Sequence, residues 1–232
     1  MHDKQTKSNM QNKVYEKVDH YINELFAPED KALKDTLKLM EKKKIPQWSI
    51  SSNQGKFLQV LATMCNAKKI LELGTLGGYS TIWLARALPA NGQIISIEFD
   101  KKHAEAAKIN IKKAGLQKKV DIRVGKALDI LPQLEKEKAG PFDMIFVDAD
   151  KPPYPEYFKW SIRLARPGTV IVFDNVIRQG KVLSSNSSDE IIKGVRRFNK
   201  LLADCKEVTA TVLTTVGLKE YDGMAIAVVN HK

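Results

Sequence analysis

The sequence predicts an α/β fold: a doubly wound, Rossmann-like sheet of seven strands, mostly parallel with one antiparallel strand, preceded by N-terminal helices. Three observations carry this reading. From Lys69 onward, short apolar runs alternate with helix-like stretches. The runs Met144-Ile145-Phe146-Val147 and Val170-Ile171-Val172-Phe173 are continuously apolar, as parallel strands covered on both faces should be. Finally, two strand-like runs, Val208 to Thr215 and Gly223 to Val229, adjoin with no helix between them, which favours one antiparallel piece at the end of the sheet.

The elements follow in order. Val14, Val18, Ile22 and Leu25 fall on one face of a first helix, and Pro28 and Asp30 mark a break and restart. A second helix runs from about Glu29 to Lys43 with Ala32, Leu33, Leu37 and Met40 inward, and Pro46 ends that region. Ser51-Ser52-Asn53 offers N-cap choices for a third helix over Gln54 to Asn66. Strands are then expected at Lys69–Leu73, Gln93–Ile97, Val120–Val124, just before Asp148, and up to Phe173. Helices are expected through Trp83 to Leu88, around Ala107, Ile111 and Ala114, from Ala127 to Leu134, from Tyr157 to Ala165 and from Asp189 to Leu202. With no repeat or linker, the chain reads as a single domain, 1–232, with a helical appendage at 1–66 and a cofactor-binding core at 67–232.

The 232 residues suit one domain. No apolar run is long enough for a membrane span, and the start, Met1-His2-Asp3-Lys4, has no apolar signal core. Cys65 and Cys205 lie in helix-like contexts, so a disulfide framework is not expected and a reducing cytoplasm is the default. Net charge is +11. Its densest run, Lys101 to Lys119, reads as a solvated helix face rather than an RNA patch. The four histidines, His2, His20, His103 and His231, are scattered.

Chemistry concentrates where the strands end, since ligands of open α/β sheets bind beyond the carboxyl ends. Glu72-Leu73-Gly74-Thr75-Leu76-Gly77-Gly78-Tyr79-Ser80 joins the first strand to a helix. Its glycines permit close ligand approach, and the helix start offers free N–H groups. Leu76 stands where a dinucleotide fingerprint needs its second glycine, which disfavours NAD, and no P-loop pattern occurs. Glu98 ends the second strand, the position that commonly reads ribose hydroxyls. Gly125-Lys126-Ala127 follows the third, placed for an adenine edge. The set fits a ligand with adenosine and an amino-acid carboxylate but no pyrophosphate. Phe146-Val147-Asp148-Ala149-Asp150-Lys151 and Phe173-Asp174-Asn175 put three oxygen donors, Asp148, Asp174 and Asn175, at one edge. Such donors suit a hard divalent cation, magnesium by default with manganese or calcium as alternatives, and no Cys/His cluster points to zinc.

These motifs, in this order and spacing, resemble the cation-dependent class I S-adenosylmethionine O-methyltransferases, the family of catechol and caffeoyl-CoA O-methyltransferases and their bacterial relatives. The resemblance spans about residues 45–230 and includes Gln54-Gly55-Lys56-Phe57-Leu58. It implies cofactor contacts at Ile50, Glu72, Gly74, Ser80, Glu98, Ala127 and Asp148, with Asp150 near the methionine portion. It implies metal ligands Asp148, Asp174 and Asn175, and Lys151 as acceptor of the substrate proton. Tyr154 and Arg178 are placed beside the substrate. The chain departs from the family at Lys126, where bacterial members commonly carry an acid, at Gln54 for a frequent Glu, at Pro152-Pro153, and at Arg178, where an aromatic residue often borders the plant phenolic pocket.

The resemblance therefore implies methyl transfer from S-adenosylmethionine to a vicinal-diol, catechol-like phenolic. A phenol titrates near 10, and lowering that by about three units corresponds to roughly 4 kcal/mol, which a bound cation can supply. The alternative acceptor is RNA, as a tRNA 5-hydroxyuridine O-methyltransferase. A homodimer is expected from the resemblance alone. The N-terminal helices could cap the site or form the dimer contact.

Overall fold

The computed structural model describes residues 2–217 and 221–231, with side chains from Lys13 onward. Three helices come first: α1 (His2–Phe26), α2 (Lys31–Lys42) and α3 (Ser52–Met64). Asp30 caps α2 by accepting from the Leu33 N–H at 3.1 Å. Ser51 settles the choice of caps for α3: it accepts from Gln54 N, and the Gln54 side chain accepts in return from Ser51 N, closing both orphan donors of the first turn.

The core alternates β1 (Lys69–Leu73), α4 (Tyr79–Ala87), β2 (Gln93–Glu98), α5 (Lys101–Lys113), β3 (Val120–Val124), α6 (Ala127–Lys136), β4 (Phe142–Val147), α7 (Tyr154–Arg163), β5 (Ala165–Phe173), α8 (Glu190–Asp204), β6 (Val208–Thr215) and β7 (Asp222–Val229). The sheet order is β3-β2-β1-β4-β5-β7-β6. Only β7 runs against its neighbours, β5 and β6, as the sequence predicted. The direction of winding reverses between β1 and β4, where the crevice of an open α/β sheet forms.

Register sets what meets at that crevice. Leu73 is level with Ile97 on one side and Val147 on the other, and Val147 is level with Phe173. Gly74, Glu98, Asp148 and Asp174 therefore form one row just at or beyond the strand ends.

Alternation along each strand divides the core in two. On one face Leu71, Leu73, Ile145, Val147 and Phe173 pack against Leu131, Tyr154, Phe158 and Phe198 of α6, α7 and α8. Phe173 and Phe198 stack with centroids 4.2 Å apart. On the other face Ile70, Ile94, Met144 and Phe146 pack against Leu58, Ile82, Trp83 and Ala107 of α3, α4 and α5. Glu72 sits between Leu71 and Leu73, so alternation turns it toward the second face, under α4.

Several expectations need correction. α7 starts at Tyr154, not Tyr157, and Ala165 already belongs to β5. Pro155 lies in the first helical turn, where a missing N–H is tolerated, so the prolines open this helix instead of delaying it. α3 stops at Met64, and Asn66 adopts a left-handed φ of 50°. A short 3-10 segment, Arg178–Leu183, was not foreseen. The apolar face expected on α1 is present and lies at the surface, with Val14, Val18 and Leu25 55%, 49% and 57% exposed. Cys65 and Cys205 are free thiols. No helix among the described residues is long and apolar enough to cross a membrane.

Candidate active site

The glycine-rich turn is held from three sides. Gly74 has φ 96°, and a Cβ there would lie 2.0 Å from the Asp148 carbonyl oxygen; only glycine lets the ends of β1 and β4 approach this closely. Leu76, with φ 49°, is left-handed without being glycine, a conformation unfavourable by about 1–2 kcal/mol. Glu98 offsets it: one carboxylate oxygen accepts from Leu76 N at 2.7 Å and Thr75 N at 3.2 Å, and the other from Asp100 N at 2.8 Å. Asn110 of α5 donates to the Gly77 carbonyl at 2.9 Å. Glu98 thus shapes the turn, a role the sequence reading did not give it. A carboxylate has about four acceptor positions, so most of this one is spent inside the protein. His103 Nδ1 lies 3.7 Å from Glu98.

Glu72 lies beneath that turn with 0% exposure. Its carboxylate accepts from Ser80 Oγ at 2.7 Å, Thr81 Oγ1 at 2.5 Å and Ser96 Oγ at 2.5 Å. Ser96 is its level partner on β2 and also shares a hydrogen bond with the Thr75 hydroxyl. Burial pushes the Glu72 carboxyl up to about 7; the three hydroxyl donors act against that rise, and the Asp148 charge adds to it. Thr75, Thr81, Ser96 and Asn110 were absent from the predicted site. The available signal was Ser96, a polar residue inside an otherwise apolar strand.

The acidic edge is equally connected. Lys151, 9% exposed, donates from Nζ to Asp148 Oδ1 at 2.8 Å and to the Tyr154 hydroxyl at 2.7 Å. The Tyr154 hydroxyl donates in turn to the Asp174 carbonyl at 2.9 Å. Asp174 is 3% exposed, and its Oδ1 accepts from Asn175 N at 2.8 Å. Asn175 has φ 57°, a left-handed turn that Asn tolerates better than most residues. Burial and the neighbouring Asp148 charge push the Asp174 carboxyl up to about 7, against the attraction of Lys151. One lysine does not neutralise two carboxylates held together here. The donor set of two acids and an amide, on consecutive strand ends, fits a hard oxygen-seeking cation. Among the described residues no group of three His, Cys, Asp or Glu gathers as a metal cluster, so the fit rests on two acids whose charges act on each other, with Asn175 next to Asp174 in the chain.

The remaining candidates are placed as follows. Tyr154 is fully buried, its ring against Phe173 and Phe198. This corrects the expectation that it touches substrate: it braces Lys151 from behind. Asp150 is exposed and accepts from Tyr157 Oη at 2.6 Å. Arg178, φ 53°, has its backbone N–H held by Asp222 Oδ1 at 2.9 Å, and its charge opposes the upward push that burial, Asp148 and Asp174 give the Tyr154 phenol. Ala127 opens α6, after Lys126 in the cap position. Ile50, 6% exposed, faces a cavity of about 500 Å³ lined also by His20, Asn23, Leu37 and Tyr79, which includes none of the acidic edge. Tyr79 donates there to Glu29 at 2.5 Å.

Fold and edge together define a doubly wound α/β protein with buried and half-buried acids gathered at the carboxyl ends of β1, β2, β4 and β5. A model of the O-methyltransferase family matches residues 23–228, and the chain belongs to that family. It is 60% identical over 220 residues to a catechol O-methyltransferase of Niastella koreensis, covering 95% of this chain and 100% of that protein. Among solved structures it resembles the O-methyltransferase of Bacillus cereus in complex with SAH, with TM-score 0.92, 47% identity and coverage of 94% and 99% of the two chains. It also resembles TomG of Streptomyces achromogenes, an O-methyltransferase of tomaymycin synthesis in complex with SAM, with TM-score 0.92, 45% identity and coverage of 95% and 99%.

Proposed function

We propose that this chain is an S-adenosylmethionine-dependent O-methyltransferase that requires a divalent cation and acts on a phenolic small molecule with two vicinal hydroxyls. The observation that carries it is the bonded chain from the Asp148 carboxylate through Lys151 and Tyr154 to the Asp174 main-chain carbonyl at the strand ends, with the Asp148 N–H bonded to the Leu73 carbonyl at the start of the glycine-rich turn. Solved relatives bound to SAM and SAH support the cofactor, and the Niastella enzyme's name supports a catechol acceptor.

Asp148, Asp174 and Asn175 would hold the cation, magnesium first, which would supply Lewis-acid stabilisation of a phenolate. Lys151 takes the acceptor's hydroxyl proton. Its bonds to Asp148 and Tyr154 fix the nitrogen in place and leave one position for the acceptor. The phenolic oxygen then forms the new O–C bond as the S–C bond breaks, and the sulfur leaves as a neutral thioether. A sulfonium needs no activation, so the remaining task is alignment. The shared contact of Gly74 with Asp148 holds the cofactor side and the acceptor side in one frame. Ile50, Ser80, Glu98, Ala127 and Asp150 are proposed around the cofactor and Arg178 beside the acceptor. The half-exposed stripe of α1 supports pairing of two chains.

The acid-rich edge disfavours an RNA acceptor despite the basic chain. Removal of divalent ions with EDTA should abolish methylation of catechol, and magnesium should restore it. Unchanged turnover without any divalent ion would refute the cation requirement.

A further inference from the structure

Glu72 poses a problem that the proposed chemistry leaves open. A carboxylate with no exposed surface normally has a cationic partner or loses its charge. Among the described residues no Lys, Arg or His forms an ion pair with Glu72. What it has instead are three hydroxyls, each able to donate a proton, from two different elements: Ser80 and Thr81 on α4 and Ser96 on β2. Thr75 meets the Ser96 hydroxyl at 2.5 Å, so when Ser96 donates to Glu72, Thr75 is left to donate to Ser96. Every hydroxyl of the web can then point its proton inward, the arrangement that supports an ionised carboxylate.

The surroundings add to the negative field. Glu98 stands on the β2 side of the turn and Asp148 on the β4 side. Lys151 is already bonded to Asp148, and His103, at 3.7 Å from Glu98, is charged only when protonated. The Asp148 charge is shared with Lys151 and with the proposed cation, so on the cofactor side of the turn the uncompensated negative field comes from Glu72 and Glu98, in a chain of net charge +11. S-adenosylmethionine carries a sulfonium that the product, S-adenosylhomocysteine, lacks. A charge held in a dry, preorganised site acts on that difference far more strongly than one in water.

We propose that Glu72, sealed below the glycine-rich turn, is the fixed counter-anion of the sulfonium and lets the enzyme favour the charged methyl donor over its uncharged product. Glu72 is a positioning residue in this scheme, acting through Ser80 and the turn rather than by touching the reacting atoms. Methyl transfer removes the positive charge from sulfur, so the same residue that holds the donor ceases to hold the product.

The inference rests on the cofactor reading above and is tested by equilibrium binding without acceptor. Dissociation constants for S-adenosylmethionine and S-adenosylhomocysteine are measured on the wild-type protein, Glu72→Gln and Ser96→Ala at pH 8. In Glu72→Gln the ratio of the donor's to the product's constant should rise about tenfold. In Ser96→Ala, which keeps the carboxylate and removes one donor, it should rise about two- to threefold. Equal weakening of both ligands, or no change in the ratio, overturns the proposal by reducing Glu72 to a structural acid. If Glu72→Gln does not fold, the ratio in Ser96→Ala decides alone. A wild-type protein that binds neither ligand would instead defeat the cofactor reading itself.

Discussion

Glu72 and Asp174 are both buried acids pushed up to about 7, and they reach that state by different routes. Glu72 is enclosed by hydroxyl donors from α4 and β2, so its lone pairs are used within the protein. Among the described residues the Asp174 carboxylate accepts one hydrogen bond, from the neighbouring Asn175 backbone N–H, and Asp148 repels it. The difference teaches that similar burial can serve opposite ends. One carboxylate is completed by the fold and exerts only a field. The other is left incomplete, as a ligand for something outside the chain should be.

The largest effect should come from the lysine beside the incomplete acid. Lys151→Ala should lower kcat for catechol by about 10²- to 10⁴-fold, or roughly 3–5 kcal/mol, with the protein still folded by circular dichroism. Near-normal kcat in a folded variant would remove Lys151 as the base.

Next comes the pH dependence of stability. Both acids bind a proton more tightly in the folded chain than in the unfolded one. Between the ordinary carboxylate range and about 7 the folded state therefore holds more protons, and stability falls as pH rises through that window. The Glu72 share, from 4.5 to about 7, is on the order of 3 kcal/mol. Urea midpoints from pH 4.5 to 8 should fall less steeply in Glu72→Gln than in the wild type. At pH 8 magnesium should raise the midpoint of the wild type and of Glu72→Gln but not of Asp174→Asn. Equal stabilisation of all three would erase the distinction between the two acids.

A smaller effect is expected from Tyr154→Phe, which keeps the ring packing against Phe173 and Phe198 and removes only the hydroxyl. Lys151 and the Asp174 carbonyl each lose a partner, at about 1–2 kcal/mol of stability. Steady-state kinetics should show kcat down about tenfold with KM for S-adenosylmethionine unchanged. A change confined to KM would place Tyr154 elsewhere in the mechanism.

Much of this was readable from the chain. β1, β3 and β6 have the predicted boundaries, and Asp148 and Asp174 stand where the apolar runs of β4 and β5 stop. Strand ends are legible because burial of both faces forces continuous apolar sequence. The hydroxyl web around Glu72 was not, because it depends on the level pairing of Glu72 with Ser96 and on how α4 crosses β1, which no local pattern records. Tyr154 was misplaced for a related reason: its burial depends on α8, which follows more than thirty residues later. The stripe on α1 was visible as a face, but a face does not declare what covers it.

The near-contact between Gly74 and the Asp148 carbonyl has a mechanical consequence. The two halves of the crevice cannot drift independently, since each is the other's wall. A methyl group introduced at position 74 would act as a wedge, widening the gap that the transferred carbon must cross while leaving each individual binding group intact.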